Sequence, residues 1–327
     1  MTASTLDVSV GVSSHPFMPD KRLLSRIKSR IARFVFVLSS CLLLLAPVPQ
    51  MYSSTGNSLP SPVMQLQMTL PAAPGQLWNA FSAANVVDVN LIAGDTGISK
   101  PTLHWVQSVI RTDAWPVIAH LFAGASVSDV NLVLFSTEMG YEQAVAQQFA
   151  GNAKEIAART GGFTVGTTVY VPIYKYSATD TLANTVAHEF THVFLNVTGV
   201  SRRIPEWMNE GFAWTAGLKA ETAVNSVGVQ SLLQGLASKL SSARQSGNLA
   251  PLTTGTTAGL QKNFEYNLEY EDYLAVQQLE RVYGTEVMKQ FFRQALDVGL
   301  KKSFEASFGM SLDAYEQMFY GNLTANS

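Results

Sequence analysis

The sequence predicts an α+β fold: a small lobe built on a mixed sheet, then a mainly helical C-terminal lobe, with one long helix between them. Three observations carry that reading. DVNLVLFS (129–136) and GGFTVGTTVYVPIY (161–174) are runs rich in β-branched and aromatic residues, bounded by turn formers. DTLANTVAHEFTHVFLNV (180–197) follows directly with apolar residues at helical spacing. From Pro205 onward the pattern stays helical, broken only by Gly- and Pro-containing stretches, and no long period repeats, which excludes a solenoid.

Residues 1–20 are polar and irregular, and KRLLSRIKSRIAR (21–33) carries six basic side chains and no acid. Phe34 to Ala46 follow as thirteen mostly apolar residues, ended by Pro47 and Pro49. As a helix they would span about 20 Å, short of the ~30 Å hydrocarbon core. A basic stretch before a short apolar one predicts that residues 1–50 are an export signal, or a signal anchor that attaches the protein to a membrane through residues 34–46. The expected location is therefore periplasmic, cell-envelope or extracellular. The single cysteine, Cys41, lies inside this stretch; LLLLA continues beyond it, which disfavours a lipoprotein cleavage box.

MYSSTGNSLPSP (51–62) reads as a linker, and residues 63–327 as one domain of two lobes, 63–199 and 200–327. Six of the 22 Lys+Arg and two of the 24 Asp+Glu fall in the first fifty residues, so the rest holds 16 against 22, a formal charge of −6. With no basic cluster outside the export segment, nucleic-acid binding is excluded as a function class.

In the first lobe, PTLHWVQSVIRTDAWPVIAHLF (101–122) predicts one or two helices broken near Pro116, and EMGYEQAVAQQFAGNAKEIAA (138–158) returns to helix. His104 and His120 read as packed or surface residues. The extended run 161–174 is either an edge strand, where a peptide could add by backbone pairing, or an ordinary interior strand.

The long helix has cap oxygens in Ser177, Thr179 and Asp180 and a stop in Gly199. Leu182, Val186, Phe190, Val193 and Val197 form its apolar stripe. His188 and His192 fall roughly opposite, so one face is expected in the core and the other along a cleft. Four residues apart, the two histidines can converge on one metal ion, and Glu189 can reach a water held there as general base. Catalytic zinc usually takes a third protein ligand. Pro205 can open a second helix carrying Glu206 and Glu210 on one face. Glu210, eighteen positions after His192, is favoured as the ligand on motif grounds, and Gly211 and Ala213 beside it are small and would let the two helices approach closely. Glu206 sits where a carboxylate suits the helix dipole in any case.

HEFTH followed by PEWMNEGFA resembles the gluzincin metallopeptidases, most closely the peptidase MA-like domains. The resemblance implies a zincin-like form of the α+β fold, one Zn²⁺ ion held by His188, His192 and Glu210, catalysis by Glu189, and a peptide or protein substrate. The third ligand comes one residue earlier than in aminopeptidase N-type enzymes, and their G-x-M-E-N motif is absent: GGFTVG stands there without a glutamate. Recognition of a substrate N-terminus is therefore not implied, and endo- or exo-action stays open.

After Glu210, residues 221–246 predict an amphipathic helix, 248–263 a loop, 266–284 and 284–300 two helices, and 303–323 two short ones around Gly309. Related enzymes carry a hydroxyl donor at the start of a helix here, which points to Tyr270 as a catalytic residue, with Tyr266 and Tyr273 as rivals. The competing class is a catalytically silent protein that uses zinc for binding or for envelope assembly. Hydrolysis of a non-peptide bond by the same chemistry is a third possibility.

Overall fold

The computed structural model describes residues 89–122, 127, 130–149, 151–255 and 264–325. The export segment, the linker and the start of the domain at residue 63 lie outside the described residues. The order is β1 (Val89–Ala93), α1 (Lys100–Val109), a π-helical turn (Ile110–Ala114), α2 (Trp115–Leu121), β2 (Val130–Phe135), α3 (Glu138–Gln148), α4 (Ala153–Arg159), β3 (Phe163–Val165) and β4 (Thr168–Pro172). Then come α5 (Thr179–Val197), α6 (Glu206–Gln245), α7 (Leu268–Tyr283), α8 (Thr285–Val298), α9 (Leu300–Phe308) and α10 (Leu312–Ala325). The four strands form one sheet in the order β1-β2-β4-β3, with β1, β2 and β4 parallel and β3 antiparallel to β4. This is α+β architecture: a small mixed sheet and a mostly helical remainder. Among the described residues no helix is long and apolar enough to cross a membrane.

Several expectations change in detail. Strand β1 was not expected, although four residues of VNLIA are apolar; it sits at the sheet margin, and Asn90, Ile92 and Ala93 are exposed where β2 is largely buried. The run 161–174 is a hairpin. Gly166, at φ 62, opens a two-residue turn that sets Val165 opposite Thr168. The break near Pro116 is a π-helical turn that leads straight into α2, placed where proline supplies no N–H to the helical ladder.

Helix α5 does not divide its faces between core and cleft. Every residue from Leu182 to Leu195 is buried. It packs against α6, the π-helical turn, α2, β3 and β4, so the histidine face meets protein as fully as the apolar stripe does. Nor is its cap Ser177, Thr179 or Asp180. Ala178 takes that place without a side-chain bond, and Asp180 lies in the first turn, accepting from the Thr181 N–H (2.8 Å) and from the Asn225 amide (2.6 Å). Gly199, at φ 77, ends the helix as expected.

Helix α6 starts at Pro205, whose carbonyl accepts from Met208 and Asn209. It runs on into the helix expected at 221–246. The junction is Asn225, with φ −145 and ψ 76, whose side-chain oxygen accepts from the Gly228 N–H (2.9 Å) and so caps the second half. The small residues of α6 work differently from the expectation. Gly211 faces α7, where a Cβ would run into the backbone carbonyl of Asp272, and it is Gly217 that faces Asn184 of α5. Gly211→Ala is therefore expected to destabilise. Alanine gains about 1 kcal/mol of helix propensity. Forcing a methyl against rigid backbone costs about 1–3 kcal/mol or more, and a carbonyl cannot swing aside as a side chain can. Denaturant unfolding should show a lowered midpoint; an unchanged or raised midpoint would mean that the two helices have slack.

Candidate metal centre

Three side chains from α5 and α6 converge. The Nε2 atoms of His188 and His192 lie 3.0 Å apart, and Glu210 Oε2 lies 3.5 Å from each. All three residues are 0% exposed. They are the one group of His, Cys, Asp or Glu side chains among the described residues whose ligand atoms are close enough to share a metal ion. With ligand bonds of about 2.0–2.2 Å, tetrahedral angles put ligand atoms about 3.3–3.6 Å apart, so the triangle has the right size with little movement. Helical spacing aligns the histidines, and the Pro205 start brings Glu210 onto the facing surface one turn into α6.

The electrostatics fit a cation. Burial, and then the neighbouring His192, pull the His188 pKa well below the usual histidine range. Burial also lowers His192, offset in part by Glu189 and Asn209. Both rings are thus neutral and offer a lone pair. Burial pushes the Glu210 carboxyl well above its usual range, with Glu206 and Glu189 adding to the effect. Asp272 of α7 is raised too, by burial and then by Glu210 itself. Among the described residues neither Glu210 oxygen accepts a hydrogen bond, and His188 Nδ1 has no partner. Two unbonded carboxylate oxygens inside a protein are unfavourable unless a cation meets them. These residues can hold a metal ion.

Asn209 was missed in the sequence, although it stands beside Glu210 in MNEGFA. Its Oδ1 lies 3.1 Å from His192 Nδ1, and both groups are buried. Accepting the Nδ1 proton fixes the tautomer whose Nε2 lone pair points at Glu210 and His188. Asn209→Ala is expected to weaken metal affinity about 10–100-fold, measured by competition with a chelating dye; unchanged affinity would remove Asn209 from the site.

Glu189 is 0% exposed and acts on both His192 and Glu210 electrostatically. One of its oxygens, Oε2, accepts from the Thr164 hydroxyl at 2.6 Å. The strand carrying Thr164, β3, is at the sheet margin, whereas β4 is interior.

Tyr270 lies in the first turn of α7, its N–H donated to the capping Asn267 side chain at 3.1 Å. Its ring packs with Trp214, Tyr266 and Tyr273, and burial pushes its pKa to about 12. Among the described residues no hydrogen bond or ion pair joins it to His188, His192 or Glu210. Its rivals are engaged. The Tyr266 hydroxyl donates to Glu271 Oε2 and accepts from the Ala250 N–H, both at 2.8 Å, and the Tyr273 hydroxyl accepts from Gln277. Glu206, His104 and His120 are not part of the converging group: Glu206 lies against Gly255, His104 is exposed and His120 half-buried.

No family model, curated protein or solved structure matches this chain.

Proposed function

We propose that this protein is a zinc-dependent hydrolase that cleaves peptide bonds in a peptide or protein substrate by a gluzincin-type mechanism. The observation that carries the reading is the convergence of His188 Nε2, His192 Nε2 and Glu210 Oε2 beside Glu189. Three protein ligands leave a fourth tetrahedral position open, which is the pattern of catalytic rather than structural zinc. A zinc ion bound there supplies a Lewis acid and a water whose pKa is lowered towards ~7.

The chain's own groups supply the rest. His188 and His192 present neutral nitrogens, and Asn209 holds the second ring in its tautomer. Glu189 accepts the proton of the attacking water and passes it to the leaving amine. Tyr270 is the proposed hydroxyl donor to the carbonyl oxygen, supported by its position at the start of α7 and by a hydroxyl free of hydrogen bonds among the described residues. The peptide as substrate rests on the HEFTH…NEGFA resemblance, and a place outside the cytoplasm, free or anchored, rests on the N-terminal sequence.

One observation favours a second reading. All four site residues are 0% exposed, which also suits a catalytically silent protein whose buried metal serves binding or assembly. Metal analysis of the purified protein, with casein and quenched-peptide hydrolysis before and after chelation, separates the two. The hydrolase reading expects one zinc per chain, activity lost to chelator and activity regained with zinc. Zinc without hydrolysis across a peptide library would favour the silent protein, and a chain that takes up no metal would end both.

A further inference from the structure

Strand β3 does more than lie beside the histidine helix. Successive residues of a strand point to opposite faces. Phe163 goes into the aromatic cluster with Tyr141, Phe149 and Tyr170, so Thr164 points the other way, at α5. Thr164 is 5% exposed, a position where valine, the same shape without the hydroxyl, would suit an apolar surrounding better. Its hydroxyl finds Glu189: Oε2 at 2.6 Å and the main-chain carbonyl at 3.2 Å. One hydroxyl proton goes to the nearer acceptor, Oε2.

The other carboxylate oxygen, Oε1, lies on the side of Gly162, where a Cβ would come within 3.1 Å of it and equally of the Tyr170 carbonyl oxygen. Gly162 is not among the glycines with positive φ, so its backbone does not require glycine. The absent side chain lets the backbone just before β3 lie close against Oε1.

The strand itself is tied down. The Tyr176 hydroxyl donates to the Gly161 carbonyl (2.6 Å) and lies 2.8 Å from the Thr185 hydroxyl of α5. The Lys175 ammonium donates to the carbonyls of Ala157 (2.5 Å) and Thr160 (2.7 Å), fixing the chain just before β3. A hydroxyl delivered from so constrained a backbone can select one rotamer of the carboxylate it meets.

We infer that Thr164 is the positioning residue of the general base: it holds Oε2 of Glu189 and leaves Oε1 as the oxygen that takes the proton. This rests on the hydrolase reading above for the role of Glu189, but not for the hydrogen bond itself.

The test compares full-length Thr164→Val, which deletes the hydroxyl at constant shape, with Thr164→Ser, which keeps it. In Thr164→Val, kcat on a quenched peptide is expected to fall about 10- to 100-fold, with KM within about twofold and one metal ion retained. Thr164→Ser is expected to recover most of that loss. A Thr164→Val enzyme with wild-type kcat, or a serine variant as slow as the valine one, would overturn the inference. Thr164→Ala serves if the valine variant fails to fold.

Infrared spectra of protein labelled with ¹³C at the glutamate carboxyl groups supply a readout that needs no turnover. The wild-type minus Thr164→Val difference should contain a carboxylate band that is absent when the same pair is made in a Glu189→Gln background. A band that persists there would also overturn the inference. A wild-type protein that hydrolyses nothing would instead sink the hydrolase reading, while the infrared result would still decide whether Thr164 holds Glu189.

Discussion

Glu189→Gln is expected to lower kcat by about 10²–10⁴-fold, the usual contribution of a positioned general base, and to leave the metal content unchanged. The side chain is not among the three converging ligands, so metal content should not follow activity. Glutamine has the same size, and its carbonyl oxygen can still accept from Thr164. What it lacks is an oxygen basic enough to take a proton. Because Glu189 is wholly buried, a neutral amide in its place removes a desolvation cost and should leave the thermal midpoint unchanged or slightly raised. Steady-state kinetics, metal analysis and thermal unfolding on one preparation check all three expectations. Wild-type turnover would remove Glu189 from the chemistry, and loss of metal would make it a ligand.

How far the sequence disclosed this site depends on whether the signal was local. His188, Glu189 and His192 are legible because helical geometry is regular: a four-residue interval fixes a shared face before anything is known of the fold. The starts and stops of α5 to α10 near Gly199, Pro205, Gly284 and Gly309 are legible for the same reason. Glu210 needed the second helix to be placed, which Pro205 and the NEGFA spacing allowed. The burial of the histidine face was not legible, since it depends on α6 closing over α5, and periodicity reports only which residues could be buried. Thr164 and Gly162 were out of reach as well. Thr164 bonds to Glu189, and Gly162 lies close beside it, through a hairpin whose turn at Gly166 interrupts what reads in sequence as one extended run, and a contact across 25 residues leaves no local trace. Asn209 was closer to hand: a residue next to a ligand on a helix, with an amide that can accept a ring proton, is where a partner for the second histidine should be sought.

Removing Glu210 separates the metal from the fold. Glu210→Gln is expected to lose metal by more than the 10–100-fold set for Asn209, because it deletes a ligand and not a ligand's support. In the wild type, a metal ion at 1,000 times its Kd adds about 4 kcal/mol of stability, so chelation should lower the midpoint of unfolding sharply, and should have no effect on the variant. With both proteins metal-free the order reverses. The buried Glu210 oxygens accept no hydrogen bond there, and a neutral amide removes the cost of burying an ionised carboxylate. The pH dependence follows with a definite sign. Burial raises the folded-state pKa of Glu210 above its ordinary 4.5, so its contribution to the metal-free protein is fully present below pH 4.5 and is lost as pH rises through the folded value. His188 and His192 act oppositely: their pKa values are lowered from 6.5, so their contribution is present above pH 6.5 and is lost as pH falls through the folded values. The histidines are common to both proteins, so as pH rises above 4.5 the difference between metal-free wild type and metal-free Glu210→Gln should grow in favour of the variant. Denaturant unfolding of the two apoproteins from pH 5 to pH 9 measures that difference directly. If metal-loaded Glu210→Gln responds to chelator as the wild type does, another acid, with Glu206 first in line, is the third ligand.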